Sequence, residues 1–144
     1  MSGVIAKTGA PDTIWLAKRK IWPMPSPWVQ GGRFTRNDSD AVCAARRKFL
    51  DETRLDIAYT RFQLLQYLHD YSWSRVEQGE FPGRNMVVTC HLELSEEEIR
   101  HVATNLKPTE YDVSFGLQPY DHERLISDNC HPMLADLWKD IFGD

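Results

Sequence analysis

The sequence predicts a single α/β domain in which a mixed β-sheet is covered by helices on both faces. Strand-like and helix-like segments follow one another irregularly, without the regular alternation of a parallel βαβ fold. Two segments, 41–55 and 131–142, carry apolar residues at helical spacing, which indicates helices that bury one side. A length of 144 residues suits one domain with its own core, so we assign residues 1–144 to one unit.

The strand predictions depend on alternation and on the residues that interrupt it. Residues 13–20 (TIWLAKRK) alternate in polarity, and we expect them to pair with residues 3–7 through a Gly-Ala-Pro-Asp turn. Three prolines predict a loop at 21–27, because each removes a backbone donor. Gly31 and Gly32 allow a backbone approach that a Cβ would block. The other predicted strands are 62–71, 85–94 and 111–115.

The first helix is the clearest element of the sequence. A short polar side chain can cap its N-terminus, and the candidates are Asp38, Ser39 and Asp40. Val42, Ala45 and Phe49 recur at helical spacing and predict a buried stripe that ends near Leu55.

Three shorter helices are predicted after it. Residues 95–98 (SEEE) form a capping-box pattern that begins a helix running to about Asn105. A helical turn is expected at 121–127, and an amphipathic helix at 131–142 with Pro132 in its first turn.

Composition excludes several classes of protein. The net charge of −4 provides no global basic field, so the composition does not predict a nucleic-acid partner. The three cysteines have no zinc-site spacing. No apolar run approaches the roughly 20 residues that span a bilayer, and the N-terminus has no secretory signal pattern, so we expect a cytoplasmic protein without a membrane partner.

The chemistry of the sequence concentrates between residues 28 and 55. A loop that contains Gly31 and Gly32 is predicted to lead into the first helix, which carries the acidic pair Asp51 and Glu52 near its end. With Lys48, these acids stand at i, i+3 and i+4, so we expect them to share one helix face, away from the apolar stripe. Carboxylate oxygens are ligands that Mg²⁺ prefers, and a Gly-rich segment beside them suits a diphosphate.

This segment resembles the box of the Nudix hydrolases, G-x5-E-x7-R-E-U-x-E-E-x-G-U, in which U is aliphatic. The matching stretch is 47–55 (RKFLDETRL). Residues 87–98 and the run SDNCH at 127–131 are similar to the GDP-mannose hydrolase branch. Departures also occur: the spacing before Arg47 is one residue longer, Asp38 or Ser39 takes the place of the first glutamate, and Lys48 and Arg54 replace a glutamate and a glycine.

The resemblance implies a Nudix-type α/β/α sandwich that hydrolyses a nucleoside diphosphate linked to another group, with a GDP-sugar such as GDP-mannose as the best candidate. It implies Mg²⁺, with Mn²⁺ as an alternative, bound by Glu52 and the carbonyl of Gly32, and the place of Asp51 beside Glu52 on the helix makes Asp51 a further candidate ligand. It also implies that Arg33 and Arg19 neutralise charge on the departing GDP. Gly31, Gly32 and Lys48 are the candidate substrate-binding residues.

Several alternatives stay open at this point. The catalytic base of the branch is a histidine in the loop before a strand, and the corresponding loop here, 106–111, contains none. Glu110 in that loop is a candidate general base or a solvated loop acid. Lys48 either forms a helical ion pair with Asp51 or Glu52, or binds diphosphate directly where a metal would lie.

Two further hypotheses concern the whole protein. A protein that kept the fold and lost the chemistry would bind a nucleotide, an RNA end or a protein partner without turnover. A homodimer is also possible, with its interface at the aromatic residues Tyr67, Tyr71 and Trp73.

Overall fold

The computed structural model describes residues 2–9, 12–20, 27–32, 35–73 and 83–143, and it describes the backbone alone at 2, 3, 31, 32, 65–73 and 83–87. Its strands are β1 (Ser2–Lys7), β2 (Ile14–Lys18), β3 (Pro27–Trp28), β4 (Gln30–Gly32), β5 (Gln63–Trp73), β6 (Gly83–Glu93) and β7 (Leu117–Tyr120). Its α-helices are α1 (Ala41–Thr53), α2 (Glu96–Thr104), α3 (His122–Ser127) and α4 (Pro132–Phe142), with a 3₁₀ turn at Tyr59–Arg61.

The sheet is mixed, as predicted. Its main order is β3-β2-β1-β6-β5, while β4 also pairs with β1 and β7 also pairs with β2. Strand β1 runs parallel to β6 and antiparallel to both β2 and β4. The predicted pairing of the first two strands is confirmed, with Ala6 opposite Trp15 and Lys7 opposite Ile14.

Helices cover both faces of this sheet, because successive side chains of a strand point to opposite sides. On β1, Val4 and Ala6 join a core cluster with α1 and α2, whereas Ile5 joins a second cluster with α3 and α4. The predicted apolar stripe of α1 supplies the first cluster: Ala45 and Phe49 have no exposed surface. The predicted three-layer α/β/α arrangement is therefore confirmed.

Local signals place the helix ends. Asp40 is the N-cap of α1, and its Oδ1 accepts from the backbone N–H of Cys43 at 2.8 Å. The capping box of Ser95 and Glu98 begins α2, and Pro132 lies in the first turn of α4. Helix α1 ends at Thr53, before the predicted Leu55, because Arg54 adopts a left-handed conformation that stops it.

The prediction of a strand at 111–115 is wrong. Only Tyr111 pairs there, in an isolated bridge with Arg19. The Asp112 side chain accepts from the N–H of Ser114 at 3.0 Å, and this local bond turns the chain instead of extending it. The strand at this place in the chain is β7, which was not predicted.

Two loop assignments also differ from the structure. Gly31 and Gly32 lie in strand β4, opposite Gly3 and Ser2 of β1, and not in a loop. Strand β4 also packs on α1. Pro27, assigned to the 21–27 loop, pairs with Lys18 in the two-residue strand β3, the last strand of the sheet order, where a missing N–H is tolerated. Residues 21–26 lie outside the described part.

Candidate functional site

The candidate site is built where the end of α1 meets the end of β2 and the segment that follows α2. Two sets of backbone hydrogen bonds hold these pieces together. The N–H of Lys107 donates to the carbonyl of Glu52 at 3.0 Å, which ties the segment to α1. The N–H of Lys20 donates to Glu110, and that of Asp112 donates to Lys18, which ties the same segment to the end of β2.

The carboxylate of Glu52 lies inside this junction. Glu52 has no exposed surface and is one of four buried polar residues in the part of the chain that the structure describes. Its Oε2 accepts from the hydroxyl of Tyr111 at 2.5 Å and lies 3.6 Å from the guanidinium of Arg19. Glu52 follows Ala45 and Phe49 at helical spacing, so it extends the buried stripe of α1.

Arg19 and Tyr111 also contact each other. The guanidinium of Arg19 donates to the hydroxyl of Tyr111 at 3.2 Å and lies 5.2 Å from the centroid of its ring. Burial, and then the nearby charge of Glu52, raises the pKa of Tyr111 well above its usual value, so the phenol stays protonated and can donate. Arg19, Tyr111 and Glu52 therefore form one buried polar group, which we call the buried triad.

Asp51 has the opposite environment. Its side chain is 46% exposed, and its Oδ2 lies 3.1 Å from the Nζ of Lys107 and 3.6 Å from the Nζ of Lys48. The hydrogen bond from Lys107, with the charge of Lys48 beside it, lowers the pKa of Asp51. We call Asp51, Lys48 and Lys107 the charged edge.

The expectation that Lys48, Asp51 and Glu52 share one open face is therefore wrong for Glu52. Consecutive helical residues project about 100° apart, so adjacent acids can face different surroundings. Asp51 faces solvent and two ammonium groups, whereas Glu52 faces the core. The helical ion pair that was one of the two interpretations of Lys48 is present, with Asp51 as its partner.

Arg47, the first residue of the box-like stretch, packs near the start of α1. Its Nε and Nη2 donate to the two carboxylate oxygens of Asp38, both at 2.9 Å. This two-pronged contact lowers the pKa of Asp38 to about 2. Asp38 therefore contacts the arginine from the position of the first box glutamate, while the N-cap is Asp40.

Glu110 lies beside the triad, next to Tyr111 in sequence. Its Oε2 is buried and has no hydrogen-bond partner within the described residues. Its backbone carbonyl accepts from Lys20 at 2.9 Å. A carboxylate oxygen placed in this way retains a lone pair that can accept a proton.

Arg33 lies outside the described residues, and so do the side chains of the aromatic residues Tyr67, Tyr71 and Trp73. The backbone of Gly31 and Gly32 is described and runs along β1 next to α1. Tyr111 and Lys107 belong to the site but were not predicted as site residues. The signal for both was their place in the loop 106–111, in which a catalytic group was sought.

The donors of this site fit a hard cation in their chemistry. Asp51 and Glu52 supply carboxylate oxygens, and Mg²⁺ is commonly held by one or two carboxylates together with substrate phosphates. Within the described residues, no group of three or more His, Cys, Asp and Glu side chains comes together. A cation at Asp51 would replace the ammonium groups of Lys48 and Lys107.

Comparison with solved structures shows which fold this chain has. No family model matches the sequence, and no curated protein matches it. Among solved structures, NrtR of Shewanella oneidensis in complex with a 27mer DNA superposes with a TM-score of 0.65 at 14% identity, over 97% of this chain and 60% of that one. The chain therefore spans about three-fifths of the length of NrtR.

Two hydrolases of similar length match as well. A MutT NUDIX hydrolase of Burkholderia pseudomallei has a TM-score of 0.63 at 17% identity, over 97% of this chain and 96% of that one. The C. elegans Ap4A hydrolase in a binary complex has a TM-score of 0.60 at 12% identity, over 97% and 93% of the two chains. Within the described residues, no helix has the length and apolarity to cross a membrane. The fold of this chain is a mixed α/β fold of the Nudix type.

Proposed function

We propose that the protein is a hydrolase of a nucleoside diphosphate linked to a second group, and that its best candidate substrate is a GDP-sugar such as GDP-mannose. The observation that carries the proposal is the burial of Glu52 against Arg19 and Tyr111, next to Asp51, at the end of a helix that packs on the Gly31-Gly32 strand. The Nudix-type fold and the box-like stretch at 47–55 support the same class of substrate.

In this proposal Asp51, Glu52 and the carbonyl of Gly32 would hold Mg²⁺, or Mn²⁺ in its place. Binding by both acids would require the Glu52 carboxylate to leave its contacts with Tyr111 and Arg19. When bound, the ion supplies positive charge that offsets the negative charge of a diphosphate. Lys48 and the backbone of Gly31 and Gly32 would bind the diphosphate itself, because an ammonium group and a close backbone suit phosphate oxygens.

The chemical step needs a base and a stabilised leaving group. The carboxylate of Glu110 would take a proton from water, whose oxygen then attacks the anomeric carbon of the sugar. The bond from that carbon to the diphosphate oxygen breaks, and GDP departs with the electron pair. Arg19 and Arg33 would stabilise the charge that builds up on the leaving group. Attack at phosphorus is the general alternative and would leave a nucleoside monophosphate.

The test is an assay of GDP-mannose turnover with Mg²⁺ titrated, in which the products are identified by mass. We expect GDP and free mannose, and we expect Glu52→Gln to abolish turnover. Glu123→Gln is the matched control, since Glu123 is an exposed acid of α3, a helix that packs on the other face of the sheet. GMP among the products would move the attack to phosphorus, and an active Glu52→Gln variant would contradict the proposed role of Glu52.

The two interpretations of Lys48 predict different results for Lys48→Gln. If Lys48 mainly offsets the charge of Asp51, its removal opens Asp51 to the cation and lowers the Mg²⁺ concentration at half-maximal thermal stabilisation. If Lys48 binds diphosphate, its removal raises the Kd for GDP and leaves the Mg²⁺ dependence unchanged.

A second candidate function is binding without turnover, to a nucleotide, an RNA end or a protein partner. The observation in its favour is that both acids are already engaged. Asp51 contacts two ammonium groups, and Glu52 has no exposed surface. NrtR, which has a similar fold, was solved in complex with DNA. Folded protein that binds GDP and turns over none of a panel of nucleotide-sugars and capped dinucleotides would support this candidate. A homodimer through the aromatic residues of β5 is compatible with both functions and is tested by the solution mass.

A further inference from the structure

A cavity of about 430 Å³ opens beside the charged edge. Asp51 and Arg54, from the end of α1, line one side, and residues 104–108, from the last residue of α2 onwards, line the other. The volume lies within the roughly 300–1,000 Å³ range that is typical of ligand pockets. The buried triad does not line it, so the cavity is separate from the Glu52 carboxylate.

The charges around the cavity favour an anion. Arg54 and Lys107 contribute two cations, against the single carboxylate of Asp51. Lys48, which lies outside the lining, also contacts that carboxylate, so three cations surround one acid even though Lys107 is itself paired with Asp51. The guanidinium of Arg54 makes no hydrogen bond or ion pair to any part of the chain that the structure describes, so its five N–H donors remain available to a ligand.

The backbone of Arg54 is unusual for an arginine. Its φ of 58° and ψ of 23° are left-handed, a conformation that costs a side chain with a Cβ about 1 kcal/mol and costs glycine almost nothing. Glycine would end α1 equally well at this position. The helix end therefore does not require an arginine at this position.

Carbonyl groups at the end of a helix normally repel an anion. Here three carbonyls of α1 and its C-cap already accept hydrogen bonds. Leu50 accepts from the N–H of Arg54, Glu52 accepts from the N–H of Lys107, and Arg54 accepts from a ring nitrogen of His101 at 3.2 Å. These bonds reduce the repulsion on the side of the cavity where Arg54 lies.

We propose that this cavity binds a phosphoryl group through Arg54 and Lys107. The arginine fork matches two oxygens of a phosphate, and the lysine can contact a third, so one group uses both cations. The cavity is also larger than a single carboxylate would fill. The phosphoryl group belongs either to the far end of a phosphorylated substrate or to a separate phosphate ligand.

The experiment measures the binding of inorganic phosphate and pyrophosphate by calorimetry to four proteins: the unchanged chain, Arg54→Gly, Arg54→Lys and Lys139→Ala. Arg54→Gly removes the guanidinium and relieves the left-handed strain, so we expect equal or higher thermal stability together with affinity about tenfold weaker. Arg54→Lys keeps the charge and is expected to retain part of the affinity. Lys139→Ala removes one positive charge from α4, which packs on the opposite face of the sheet, and is expected to bind like the unchanged chain.

Two results would overturn the proposal: no phosphate binding by the folded chain, or the same affinity in Arg54→Gly as in the unchanged chain. Neither depends on turnover, so the proposal can fail while the hydrolase proposal stands, and the reverse. The source of the phosphoryl group is a separate measurement. Competition between GDP and phosphate assigns it to the nucleotide ligand, whereas simultaneous binding assigns it to a separate ligand, and both results support the site.

Discussion

Asp51 and Glu52 are neighbours in sequence and carry the same functional group, yet one side chain is exposed and the other is buried. Glu52 has no exposed surface and contacts Tyr111 and Arg19. Asp51 is nearly half exposed and contacts two lysines. The buried carboxylate depends on every partner it has, because water cannot replace them. The exposed carboxylate can exchange its partners for water or for a cation at little cost.

The largest expected effect is that of Glu52→Ala. It removes the buried carboxylate that accepts from the hydroxyl of Tyr111 and pairs with the guanidinium of Arg19, which costs about 3–5 kcal/mol of unfolding free energy. The measurement is urea denaturation. Asp56→Ala, which removes the acid of the exposed Arg46–Asp56 pair, is the control and should cost less than about 1 kcal/mol. Similar losses in the two variants would contradict the expectation that the buried carboxylate contributes more to stability than the exposed one.

Tyr111→Phe is expected to have the next largest effect. It removes the donor of the 2.5 Å hydrogen bond to Glu52 and keeps the ring, so the loss is about 1–3 kcal/mol. Tyr59→Phe is the matched control, because Tyr59 donates a similar bond, 2.6 Å long, to Asp40 at the surface. Its loss should be clearly smaller, and an equal loss would show that burial does not strengthen the contact.

The pH dependence of stability should separate the triad from the rest. The folded pKa of Tyr111 is raised above its usual value of 10, so its contribution is complete below pH 10 and is lost as the pH rises towards the folded pKa. We therefore expect the stability advantage over Tyr111→Phe to be constant around neutral pH and to shrink above pH 10. An advantage that grows above pH 10 would reverse the sign of this linkage.

The smallest effect is expected at the charged edge. Asp51→Asn should lower the unfolding free energy by less than about 1 kcal/mol, because both ion pairs are exposed to solvent. The difference should fall further in 1 M salt, which screens surface pairs. The same denaturation series measures it, and a loss comparable to that of Glu52→Ala would remove the distinction between the two acids.

The fold followed from signals that are local in the chain. The caps at Asp40 and Ser95, the proline at the start of α4 and the apolar stripe of α1 were all predicted and are all present. Each of these signals acts within a few residues, so the sequence contains both partners of the interaction. The strand predicted at 111–115 is absent because of another local signal. The hydrogen bond from Ser114 to the Asp112 side chain turns the chain there, although the neighbouring side chains favour a strand.

By itself, the sequence determined the fold class, most element positions and the presence of an acidic pair at the end of α1. Only the tertiary structure decided which acid is buried. The partners that decide it are distant: Tyr111 stands 59 residues from Glu52 and 92 residues from Arg19, and Lys107 stands 56 residues from Asp51. Helical spacing states that two neighbouring side chains point in different directions, but the environment in each direction depends on how β2 and the segment after α2 pack against α1.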